Sequence, residues 1–238
     1  MIGLVVILLI SWGLLFLFER QSLNAIGLVP NGKRLLQFAM GIVLIVLICL
    51  ILLGIETQVK SIEWQYLGFE IGTMADAFIY HLRSALTEDL VFRGALLYIL
   101  IQRLGARWGI LISALGFGVY HVFSYGIISE RWMVIGYVIV ITGFTGYVWA
   151  WAFHKTKSIY LGLGLHVGYN MIMSCFYESQ PYGELLFAQL SSVDLVDPMA
   201  SYYSIFRGLF PTAMTWITLE ILLRSGIIGS TQKVEELQ

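Results

Sequence analysis

About seven stretches of 17 to 25 mostly apolar residues recur along this chain, and no other feature narrows its fold as sharply. A stretch of that length crosses the roughly 30 Å hydrocarbon core of a bilayer as a helix, because a helix satisfies its backbone polar groups internally. The spacing predicts spans at 2–18, 35–55, 84–103, 108–126, 132–153, 158–177 and 205–224. Composition points the same way. The 238 residues are 58% hydrophobic and 12% charged, against roughly a quarter charged in soluble domains, and the mean hydropathy is +0.82. The expected fold is all-α: a polytopic transmembrane helix bundle forming a single membrane domain over 1–238. Period-2 alternation and hairpin turn signals are missing, which argues against a barrel.

Several classes of function drop out at this stage. A net charge of −1 with no basic run leaves nothing to hold nucleic acid, and no segment has the character of a polybasic lipid-binding tail. Cys49 and Cys175 lie in apolar runs without CxxC spacing, so they read as small buried hydrophobes, with no disulfide and no cysteine metal site. The first eighteen residues lack a basic n-region and an A-x-A-like cleavage site and end in Glu19-Arg20, which favours an uncleaved first span. The longest polar stretch, about 178–204, is too short to fold alone.

The distribution of Lys and Arg predicts an N-out, C-in orientation. On that arrangement the inner connections hold Arg20, Lys33, Arg34, Arg103, Arg107, Lys155, Lys157, Arg224 and Lys233, while the outer ones keep Lys60, Arg131 and Arg207. The outer segments are acidic, with Glu56, Glu63, Glu130, Glu178, Glu184, Asp194 and Asp197. Residues 64–83 fit this scheme poorly. A single helix from 66 to 103 would be about 57 Å long, more than a bilayer admits, so either a kink near Gly72 or an interfacial amphipathic segment must precede the third span. The interfacial segment is the favoured reading, and it leaves Glu70, Asp76, His81 and Arg83 solvated. Glycine-rich faces at Gly116 and Gly118, Gly143 and Gly146, and Gly164 and Gly168 suit close helix packing more than a ligand loop.

Against this apolar background, ionisable groups at bilayer depth mark a functional site. Glu88, Asp89 and Arg93 fall in the third expected span, His121 in the fourth, and His166 and Asn170 in the sixth. Counted at 1.5 Å per residue from the inner ends, Glu88, Arg93, His121, His166 and Asn170 lie at depths of about 12 to 21 Å, within one slab. Asp89 and Arg93 share a helix face, as do His166 and Asn170 and also Phe117 and His121, with Phe117 supplying apolar wall. Two carboxylates, a guanidinium, two imidazoles and an amide suffice for acid/base chemistry with oxyanion stabilisation. The bland alternatives are a histidine that only bonds helix to helix and a purely structural ion pair. His154 reads as a solvated loop residue and Glu220 with Arg224 as a surface pair.

The segment Glu88-Asp89-Leu-Val-Phe-Arg93 resembles the EExxxR motif of the CPBP family, the CAAX prenyl endopeptidase and bacteriocin-processing (Abi or Rce1-like) membrane proteins. Phe117-Gly-Val-Tyr-His121 is similar to its FxxxH motif and His166-Val-Gly-Tyr-Asn170 to its HxxxN motif, in the same order, within a core of about 84–177. The resemblance implies an intramembrane glutamate endopeptidase without metal or other cofactor. Glu88 would be the general base and His121 would hold or polarise the water. His166 and Asn170 would stabilise the oxyanion, and Arg93 would orient the acidic pair. Its substrates would be membrane-presented peptides, prenylated or like bacteriocin precursors or signal peptides, and its location a cell membrane, the inner one in a bacterium. Asp89 stands where the motif has a second glutamate, which is tolerable if that group only pairs with Arg93. A non-catalytic scaffold or bacteriocin-immunity role, a transporter with a proton relay, and a zinc site built from two histidines and a glutamate are the competing readings. The last lacks an HExxH helix, and no inverted repeat supports the transporter.

Overall fold

In the computed structural model, which describes residues 2–226 and Ile228, seven α-helices carry most of the chain. They are α1 (Ile2–Glu19), α2 (Gly32–Val59), α3 (Ile71–Arg93), α4 (Ala95–Ser124), α5 (Trp132–Thr156), α6 (Tyr160–Ser174) and α7 (Met199–Arg224). Lys233, counted above among the inner cations, lies outside the described residues. Among the described residues four helical stretches are long and apolar enough to cross a membrane: Ile2–Glu19, Gly32–Val59, Ile71–Ser124 and Trp132–Thr156. Ile71–Ser124 takes in the expected spans 84–103 and 108–126. The expected spans 158–177 and 205–224 correspond to α6 and α7.

α6 has 15 residues, about 22 Å at 1.5 Å per residue, which is less than the hydrocarbon thickness. It is the central helix, and every residue from Leu161 to Gly168 is buried. Glycine makes that position possible. A Cβ on Gly164 would stand 2.1 Å from the Phe38 carbonyl oxygen, so α2 and α6 meet backbone to backbone. α4 and α5 pack in the same way, where a Cβ on Gly118 would lie 2.6 Å from the Ile139 carbonyl oxygen. The glycine faces therefore serve packing, as their spacing suggests, although Gly116 has only ordinary contact with Phe92.

The region 64–83 departs from the interfacial reading. Residues 71–83 are the first half of α3, which runs unbroken to Arg93 with Glu70 as its N-cap. The break that relieves the excess length comes at Gly94, with φ −91° and ψ −129°, and not near Gly72. A second break at Gly105 (φ 80°) folds α4 into two arms, and a Cβ on Gly109 would lie 2.9 Å from the Ile101 amide. Just before α3, Glu63–Tyr66 (β1) pairs antiparallel with Phe187–Ser191 (β2), Trp64 opposite Gln189 and Tyr66 opposite Phe187. Strands this short, with a partner in a distant loop, leave no local periodicity to read. The ribbon pins the 178–204 loop to the start of α3.

His81, expected in solvent, is buried: its Nε2 lies 2.8 Å from Ser174 Oγ and 3.2 Å from the Pro181 carbonyl oxygen. Glu56, counted among the acidic residues of the outer segments, lies within α2 and is buried as well. Glu220 and Arg224 do form an exposed pair at 2.8 Å. At the same end of the bundle as that pair, Arg103 Nε donates to Glu19 Oε1 at 2.8 Å, and the Ile159 amide donates to the Ile26 carbonyl at 3.2 Å. These ties gather the connections after α1, after the first arm of α4 and after α5 on one face.

Candidate active site

α3 delivers Glu88, Asp89 and Arg93 just ahead of its end at Gly94. The Asp89 carboxylate is buried and accepts from Arg93 Nε at 2.8 Å through Oδ1, with Arg93 Nη2 also on that oxygen. The guanidinium lies 4.2 Å from the Phe117 ring centroid and 5.1 Å from that of Trp149. Two aromatic faces and one carboxylate thus hold a cation that would otherwise be costly to desolvate.

His166 comes from α6 and stands between the two carboxylates. Its Nδ1 lies 3.3 Å from Asp89 Oδ1 and donates to it, which turns Nε2 toward Glu88 Oε2 at 3.8 Å. Trp149 backs the imidazole at 4.6 Å between centroids. Glu88 Oε2 is buried and has no protein hydrogen-bond partner. The 3.8 Å separation is beyond a direct hydrogen bond but within reach of one bridging water. A carboxylate, an oriented imidazole and a second carboxylate that fixes the tautomer are the parts from which a general base and its partner are built.

His121 is oriented by its own helix. Its Nδ1 donates to the Phe117 carbonyl at 2.8 Å, so Nε2 of the neutral ring is the free acceptor. Phe117 packs edge-on against it at 4.4 Å, so that residue is wall for the histidine and cation–π partner for Arg93 at once. His121, His166 and Asn170 line one cavity of about 240 Å³.

Glu88 lines a different space, a groove of about 460 Å³ between α1, α3 and α4 that includes Gly3, Leu4, Tyr80, Arg83, Thr87 and Tyr120. The structure therefore brings Glu88, Asp89, Arg93 and His166 into one network. It divides the expected common chamber into two adjoining spaces, with the Glu88–His166 contact between them. Among the described residues no group of three or more His, Cys, Asp and Glu side chains is arranged to hold a metal ion.

Residues 70–172 match the family model for type II CAAX prenyl endopeptidase Rce1-like proteins. This stretch is an Rce1-like domain. It begins at the cap of α3, ends within α6, and contains all seven residues singled out from the motifs. No curated protein and no solved structure matches the chain.

Three features beside the Rce1-like motifs escaped the sequence reading. Trp149 carries no polar signal and looks like any apolar residue of α5. The His81–Ser174 contact joins residues whose helices must pack before they meet. Glu56 follows an apolar run of α2, which was a legible hint of burial. Its carboxylate receives Lys60 Nζ at 2.9 Å, Arg207 Nε at 3.1 Å and the Tyr177 hydroxyl at 2.5 Å.

Proposed function

We propose that this protein is an intramembrane endopeptidase that hydrolyses a peptide bond of a membrane-associated or lipid-modified peptide with a glutamate-activated water. The observation that carries the reading is the buried, unpartnered Glu88 Oε2 facing His166 Nε2 at 3.8 Å, in a histidine whose other nitrogen is fixed on Asp89. The match of residues 70–172 to the Rce1-like family model supports the same reaction class.

In this mechanism Glu88 takes a proton from a water lying beside it and His166, and that water attacks the scissile carbonyl. His121 Nε2, free to accept, orients the water. His166, held on Asp89 through Nδ1, and the Asn170 amide stabilise the tetrahedral oxyanion. Glu88 returns its proton to the leaving amine. Asp89 and Arg93 position the other groups and need not touch substrate, so the shorter carboxylate at 89 is compatible with turnover.

On this reading the protein sits in a cell membrane as a multi-pass bundle, N-out and C-in, with the Lys- and Arg-bearing connections on the inner face. The test is cleavage of a membrane-presented peptide by purified protein in lipid vesicles. Glu88→Gln and His166→Ala should each lower turnover by about 10²-fold or more. Equal turnover by wild type and Glu88→Gln defeats the mechanism, and a cellular phenotype indifferent to Glu88→Gln favours the scaffold role.

A further inference from the structure

The cavity lined by His121, His166 and Asn170 extends to Arg207 on α7, which lies outside the family match. Among the described residues Arg207 is the only Lys or Arg lining this cavity, and no Asp or Glu lines it. The guanidinium is held from behind. Its Nε donates to Glu56 Oε2 at 3.1 Å, and the Tyr177 ring lies 4.8 Å from its central carbon. Glu56 is shared with Lys60 at 2.9 Å, so two cations stand on one carboxylate and one positive charge is left over. A purely structural tie between α2 and α7 needs only one cation. Nearby Tyr203, under Lys60 at 5.3 Å, keeps a buried hydroxyl without a protein partner.

We propose that Arg207 is an anion subsite that receives a carboxylate of the peptide substrate while the scissile bond lies at Glu88 and His166. The inference rests on the hydrolase reading above. Its register comes from α2. Ile45 stands against Gly168, beside His166, and Glu56 lies about 16 Å further along the same helix at 1.5 Å per residue. At 3.3 to 3.6 Å per extended residue, the carboxylate falls roughly four to five residues from the bond that breaks. The chemistry fits a C-terminal carboxylate or an acidic side chain at that distance. A planar guanidinium with one edge anchored is suited to either.

The experiment uses full-length protein in phosphatidylcholine vesicles with a pool of lipid-anchored peptides of varied sequence, and reads products by mass spectrometry. Each peptide is made with a free C-terminus and as its amide, and with Glu or Gln at each position near the cleaved bond. Neutralising the preferred carboxylate should lower wild-type kcat/KM about 10- to 100-fold, the worth of a charge-assisted contact. Loss at the amide identifies the C-terminus, and loss at a Glu-to-Gln peptide identifies a side chain. Arg207→Gln should slow the charged peptides by the same factor and leave the neutral ones unchanged, with partial recovery in Arg207→Lys. Wild-type rates indifferent to the carboxylate overturn the proposal, as does an Arg207→Gln variant that slows charged and neutral peptides equally. The wild-type comparison decides the matter even if the variant fails to fold. Cleavage of no peptide at all retires the hydrolase reading and this inference with it.

Discussion

Replacing Asp89 by Asn tests whether the network around His166 depends on charge or on shape. Asparagine has the same outline, so a fully buried site can accept it without a void, and its carbonyl oxygen can still accept from Arg93 Nε and His166 Nδ1. What disappears is the negative charge opposite a guanidinium that is 2% exposed. At about 4 Å and an effective dielectric near 20, the lost attraction is about 4 kcal/mol. Breaking a buried pair by removing one partner costs about 3 to 5 kcal/mol, which agrees. For a chain of this size that corresponds to a fall in Tm of about 6 to 20 °C. The assay is thermal unfolding in detergent of wild type, Asp89→Asn, Arg93→Met and the double variant. Arg93→Met keeps apolar contact with Phe117 and Trp149, so the double variant should be less destabilised than the two single effects added, by about 1 to 3 kcal/mol. A Tm shift below about 2 °C for Asp89→Asn, or strict additivity, would refute the account of a charge-dependent network.

Three further outcomes follow from the packing. Gly164→Ala drives a methyl group into the Phe38 carbonyl, so α2 and α6 must separate; a loss of about 1 to 3 kcal/mol or more is expected in detergent unfolding, and wild-type stability would contradict the close approach. Ser174→Ala leaves buried His81 with Pro181 as its remaining partner, costing about 1 to 3 kcal/mol, and should speed proteolysis between 176 and 186; unchanged protection would show that the contact does not hold the loop. Glu70, capping α3, has its carboxyl held below the usual carboxylate range, first by the Thr73 side chain and then by the Thr73 and Gly72 amides. Its contribution is complete above the ordinary carboxylate pKa and lost as pH falls through the depressed folded value, so Glu70→Ala should flatten the acid limb of stability against pH. An acid limb identical to wild type would dismiss the cap.

Some of this was written in the sequence because the physics is local. The lengths of apolar runs set the helices, since each backbone must satisfy itself within lipid. Ionisable groups within those runs exposed Glu88, Asp89, Arg93, His121 and His166, since such groups are rare without a partner or a task, and Asn170 followed from its spacing to His166. The glycine at 164 announced a close helix contact, because small residues are what such contacts need. The tertiary structure decided everything that depends on which faces meet. It put His166 between two carboxylates, set Trp149 behind it, and separated the groove of Glu88 from the cavity of Asn170. It also buried His81, which sequence position alone assigned to solvent. The physical reason is that periodicity reports whether a helix face is apolar, while the partner of a polar side chain is chosen by the rotation and depth of a neighbouring helix. Those quantities are set jointly by all the packing contacts, so no single stretch of chain encodes them.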